Sequence, residues 1–147
     1  MKSEPEVFSI DDLKRDRVTS WSGVRNYQAR NYMRDDMKVG DIILFYHSST
    51  DPSGVVGMAR VCRESHPDLT AMDPESPYFD PKATPANPIW VNVDVKFFSK
   101  FKQIVTLEQM KSEPALRDML VIKRGMRLSI QPVETLHFHW VEKMGNK

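Results

Sequence analysis

Val91-Asn92-Val93-Asp94-Val95-Lys96-Phe97 alternates apolar and polar side chains at every step. That is the two-residue period of a strand with one core face and one polar face. Trp90, one step earlier, falls on the polar face, where it is either open for stacking or covers a second small core. Upstream, Ile42-Ile43-Leu44-Phe45-Tyr46 is a continuous apolar run of strand length, and the Val-rich stretch from Gly54 to Cys62 follows after the turn formers Ser48 to Gly54. The pair reads as a β-hairpin of buried strands. Between hairpin and strand, His66 to Pro88 holds six of the ten prolines, so an irregular loop is expected, ordered by Tyr78 and Phe79. Downstream, Met126 to Gln131 alternates again and predicts a fourth strand, with Met126, Leu128 and Ile130 inward. Helix starts are read at Ser9, Asn26, the capping-box spacing Thr106-Leu107-Glu108-Gln109, and Ser112-Glu113-Pro114. Glu134 to Lys143 reads as a helix or an extended tail. The expected class is α+β, a small mixed sheet or barrel with short helices around it.

The chain has 147 residues, of which 40% are apolar and 28% charged, which suits one domain over residues 1–147 built on one core. No apolar run approaches the ~20 residues of a transmembrane helix, and Met1-Lys2-Ser3-Glu4-Pro5 lacks the apolar segment of a secretory signal. Cys62 is the only cysteine, which excludes an internal disulfide and a multi-cysteine zinc site. The expected location is cytoplasmic, or nuclear in a eukaryote. Net charge is only +1, but its placement is uneven. Arg17 to Arg34 carries four arginines and no acid, while Glu64 to Asp80 carries five acids and no lysine or arginine. A basic side and an acidic side are therefore expected.

Catalytic motifs are missing. There is no Walker loop, dinucleotide fingerprint or zinc-binding helix, and Gly54-Val55-Val56-Gly57 is too short and apolar to cradle phosphate. His137 and His139 would share one face of a strand, but a zinc site needs at least three protein ligands and no third is near. His47 and His66 read as hydrogen-bonded loop residues, and Cys62 as a small hydrophobe in a strand. No metal and no cofactor are expected.

Trp21-Ser22-Gly23-Val24-Arg25-Asn26-Tyr27-Gln28-Ala29-Arg30 joins aromatics to arginines without an acid, the combination that holds unstacked bases and their phosphates. Together with Lys2-Ser3-Glu4-Pro5, Val39-Gly40-Asp41, Phe45-Tyr46-His47-Ser48, Gly54-Val55-Val56-Gly57 and Arg127-Leu128-Ser129-Ile130-Gln131-Pro132-Val133, it resembles the EVE domain over nearly the whole chain. The resemblance implies a PUA-like fold, a compact mixed β-barrel flanked by short helices, similar to the YTH domain that reads methylated adenine in RNA. It also implies a pocket for one modified base of DNA or RNA, with no chemistry performed. Carried over to this chain, Lys2 and Ser3 line that pocket from the first strand, Trp21 is an aromatic wall, and Asn26 is a nearby polar group. Ser129 and Gln131 come from the closing strand, and Trp90 with Tyr78 or Phe79 forms a second wall. Arg25, Arg30 and Arg34 are expected to pair with phosphates. Family members begin with a few apolar and aromatic residues ahead of the Lys-Ser-Glu-Pro segment, so the first strand is expected to be short here. Two other functions remain open: an enzyme acting on a small nucleotide or modified base, with Asp94 or Glu4 as base, and a protein-interaction module using the proline-rich loop.

Overall fold

Three polar side chains turn extended backbone into helix. The Ser9 hydroxyl accepts from Asp12 N at 3.1 Å while Ser9 N donates back to the Asp12 carboxylate at 2.8 Å, a reciprocal cap that opens α1 (Ile10–Asp16). Asn26 Oδ1 accepts from Ala29 N at 3.0 Å and opens α2 (Tyr27–Asn31), which runs on into a π-helical turn over Tyr32–Asp36. Thr106 and Gln109 form the predicted capping box at the start of α3 (Leu107–Ser112).

The computed structural model describes residues 1–147. Its strands are β1 (Lys2–Ser3), β2 (Val18–Ser20), β3 (Ile42–His47), β4 (Gly54–Pro67) and β5 (Val91–Thr106), joined in one sheet of order β1-β3-β4-β5-β2. The predicted hairpin is β3 with β4, and the quoted alternating stretch is the first half of β5. β1 pairs with β3 in parallel, and the other pairs are antiparallel. The β4–β5 ladder slips register four times, and such bulges bend and coil a long ribbon. Both faces of the sheet are covered. Ile43 and Phe45 enter a core shared with Trp21, Leu13 and Val95, while Leu44 and Tyr46 enter a second core shared with Val55 and Phe101. Burial on both faces is why Ile42 to Tyr46 reads as an unbroken apolar run.

Two expectations are overturned. The sheet is mixed and curved but does not close into a barrel, because its edge strands β1 and β2 have only two and three residues. The predicted fourth strand, Met126 to Gln131, forms no ladder; it meets β1 through one backbone bond, Lys2 N to Ser129 O at 2.8 Å. Its alternation survives only in that Ile130 is buried and Leu128 and Met126 are half-buried. The tail after it is α4 (Thr135–Gly145). On a helix, His137 and His139 diverge, the first buried at 6% exposure and the second exposed, so the face they would share on a strand does not exist.

Candidate nucleic-acid interface

β1, β2 and the turn after β2 wall a cleft of about 520 Å³, within the range of small-ligand sites. Trp21 forms its floor. Trp21 N donates to Val93 O at 2.8 Å, and the indole meets Phe45 edge to face at 5.5 Å, which leaves it 8% exposed. Phe8 and Tyr78 add aromatic surface, and Lys2, Ser3, Glu4 and Ser129 add polar groups. Ser3 Oγ donates to Phe8 O at 2.6 Å, so it faces a ligand with its lone pairs. Lys2 Nζ lies 3.4 Å from Met126 O and 5.6 Å from the Tyr46 ring centre, and partial burial pushes its pKa down.

Tyr78 reaches this cleft from the proline-rich loop because Gly23 lets it. Gly23 has φ +86°, and a Cβ built there would sit 2.8 Å from the Tyr78 ring, so the ring lies on bare backbone. Arg25 holds the loop in place. Its Nε and Nη2 donate to Tyr78 O at 3.0 and 2.8 Å, its Nη1 to the Asp68 carboxylate at 3.0 Å and to Val24 O at 2.9 Å, and its Nη2 to Thr70 Oγ1 at 3.2 Å. Asp68 is fully buried. Burial alone would raise its carboxyl pKa, but donors from Thr70, Gly23 and Arg25 hold it below the usual carboxylate range.

The arginines expected on phosphates are otherwise engaged. The guanidinium of Arg25 is spent on the loop. Arg30 donates to Ile89 O at 3.1 Å and to Asn31 Oδ1 at 2.9 Å, and lies over Tyr27 and Trp90 at 4.8 and 5.9 Å. Arg34 pairs with its neighbour Asp35 at 2.8 Å. The acid-free arginine stretch and the acidic loop thus meet through Arg25 and Asp68, 3.0 Å apart.

Trp90 does not reach the cleft. It is 5% exposed in a satellite core with Ala71 and Ala83, its Nε1 donates to Asp80 at 2.8 Å, and Tyr27 stacks on it at 4.8 Å. Strand period placed it off the valine face correctly, but the loop folds back and covers it. Phe79 is 41% exposed and lines none of this cleft; Asn26 is occupied as the α2 cap; Gln131 donates to Leu128 O at 2.7 Å and lines a different groove beside α4. Of the nine residues carried over for the base, the cleft gathers Lys2, Ser3, Trp21, Tyr78 and Ser129. Sequence reasoning missed Phe8, Ser20 and Ser22 as lining residues, since nothing in their spacing marks them.

The carboxylates offered as catalytic bases differ in setting. Asp94 accepts from Ser20 Oγ at 2.7 Å and meets His66 Nε2 at 2.9 Å. Burial pushes its pKa up, and the hydrogen bonds from Ser20 and His66 together with the charges of His66 and Arg63 more than offset it, leaving the carboxyl below its usual range. Hydroxyl and imidazole both end on the carboxylate and not on each other, so His66 does not take the Ser20 proton. No three His, Cys, Asp or Glu side chains gather as a metal site, and no helix is long and apolar enough to cross a membrane.

The EVE domain model matches residues 1–144. Human thymocyte nuclear protein 1 is 38% identical over the whole chain, which spans 73% of that protein's length. A crystal structure of a Pseudomonas syringae protein superposes with a TM-score of 0.94 at 40% identity, over 98% of this chain and 96% of that one. Human THYN1 in complex with 5-methylcytosine containing DNA superposes with a TM-score of 0.92 at 38% identity, over 100% and 96% of the two chains.

Proposed function

The chain belongs to the EVE domain family, and from that premise we propose that it binds nucleic acid and reads a modified base in the Trp21 cleft, without performing chemistry on it. The observation that carries this reading is a concave site where Trp21, Phe8 and Tyr78 meet the polar groups of Ser3, Glu4 and Ser129, in a fold whose human relative was solved in complex with 5-methylcytosine containing DNA. Planar aromatic surface suits a base face, and a carboxylate such as Glu4 suits the exocyclic amine of cytosine. The lowered pKa of Asp94 and its hydrogen bonds to Ser20 and His66 favour binding over general-base catalysis at that carboxylate.

Extruding a base costs a few kcal/mol, and stacking returns ~1–3 kcal/mol per base, so the affinity must include backbone contacts. One buried methyl contributes ~0.8 kcal/mol, about four-fold. Selectivity beyond that requires a polar group or a clash.

The test is a titration of matched oligonucleotides with and without 5-methylcytosine, followed by amide chemical shifts. Tighter binding of the methylated strand, with shifts centred on Ser3, Trp21 and Gly23, is the expected result. Equal affinity for both, with shifts elsewhere, removes the reading. Tyr78→Ala is the cleaner site variant, because Tyr78 is 37% exposed whereas Trp21 is part of the core. It should weaken methylated-strand binding about five-fold.

A further inference from the structure

A second cleft, of about 440 Å³, lies beyond Ser20 and Ser22, and those two serines line both clefts. We propose that it is a second nucleotide subsite, which holds the nucleotide adjacent to the one whose base enters the Trp21 cleft, with Asn92 meeting its base edge and Arg63 its phosphate. The inference rests on the Trp21 cleft taking a base, as argued above.

Asn92 carries the argument. It lies on the polar face of β5 yet is only 5% exposed, under the Pro67–Thr70 segment, and it lines the second cleft. Its Oδ1 is sealed from the surface and has no hydrogen-bond partner. Folded proteins seldom leave a buried polar atom orphaned, and each exception calls for an explanation. A carboxamide offers a donor and an acceptor side by side, and a half-turn about its last bond exchanges them. With one end sealed, Asn92 offers a base edge a single bond, through whichever of carbonyl and amine faces the cleft.

The surrounding charges agree. Asp68 is satisfied by Arg25, Gly23 and Thr70, while Asp94 takes Ser20 and His66 on one oxygen and feels the charge of Arg63 across the ladder without a salt bridge to it. Arg63, whose Cα pairs with Asp94 across the β4–β5 ladder, also lines the cleft; it is exposed and outside every salt bridge of the chain. An unpaired guanidinium beside a polar hollow suits a phosphate. Ser20 to Ser22 spans at most about 7 Å, short enough for one nucleotide step to cross the shared rim.

The experiment compares 5-methyl-2′-deoxycytidine with a single-stranded trinucleotide carrying 5-methylcytosine at its centre, in the wild type, Asn92→Leu and Arg63→Ala, by amide chemical shifts and titration. The wild type should bind the trinucleotide about ten-fold more tightly than the nucleoside, with new shifts at Arg63, Thr70 and Asn92. Both variants should lose most of that gain while keeping the nucleoside affinity, and the exposed Arg63→Ala decides the matter if Asn92→Leu fails to fold. If the nucleoside shifts the Trp21 cleft but the gain survives in Arg63→Ala, or no signal moves near Asn92, the second subsite is wrong and the first stands. If neither ligand moves the Trp21 cleft, both are wrong.

Discussion

Arg25 shows how a residue type read from sequence can find an intramolecular role that the sequence does not display. An exposed arginine beside aromatics suggests phosphate contact, but this one is partly buried and holds a fully buried carboxylate. Arg25→Ala leaves Asp68 in the interior with only Gly23 and Thr70 as donors. Removing one partner of a buried pair costs about 3 kcal/mol. Urea unfolding should show a loss of that order, and near-wild-type stability with uniformly weaker DNA binding would restore the phosphate role. Gly23→Ala tests the same corner without touching charge. At φ +86° a side chain is strained, and its Cβ displaces the Tyr78 ring, so about 1 kcal/mol of stability should be lost along with methylated-strand affinity. Retained affinity would separate Tyr78 from the cleft.

At the scale of elements, the legible parts are the ones whose signals are local. A capping box closes within four residues and a strand's faces show within six, so α1, α3 and the start of β5 were readable from Ser9, Thr106 and Val91–Phe97. The segment from Met126 to Gln131 alternates just as well, yet pairing depends on an edge strand of two residues that offers it one bond. Alternation reports burial, not ladder partners. The Trp90 cover and the Asp68 clamp were illegible for the same reason, since their contacts join segments far apart in the chain. His47 is another such joint: its Nε2 accepts from Ile10 N at 3.1 Å, tying β3 to the start of α1. Burial lowers its pKa below the ordinary 6.5, with Asp11 raising it and Lys100 lowering it by less. Above pH 6.5 both folded and unfolded chains hold His47 neutral and the bond contributes in full. As pH falls below that value the unfolded chain binds a proton the folded one refuses, and stability declines until the folded pKa is reached. His47→Gln keeps an acceptor and does not titrate, so unfolding measured from pH 7 to pH 5 should be flatter than in the wild type. An unchanged profile would show that the imidazole is not linked to folding.

For the whole molecule, charge placement decides how binding depends on salt. Intramolecular partners hold Arg25 and Arg30, and Arg34 pairs on the surface with Asp35, so the phosphate attraction is expected to fall mainly to other cations exposed near the two clefts. Those are Arg63 and the loop bearing Lys123, Arg124 and Arg127, whose Met126 carbonyl approaches Lys2 at 3.4 Å. Two or three phosphate contacts are what such a rim can supply. Each contact to a single strand contributes ~0.7 to the slope of log affinity against log salt, so that slope should be about −2, far shallower than for a protein that grips a duplex by its backbone. The double variant Arg124→Ala with Arg127→Ala should lower affinity for methylated and unmethylated strands by the same factor and flatten the slope by ~1. A loss confined to the methylated strand would move that loop from the backbone to the base, and an unchanged slope would return the phosphates to Arg25, Arg30 and Arg34.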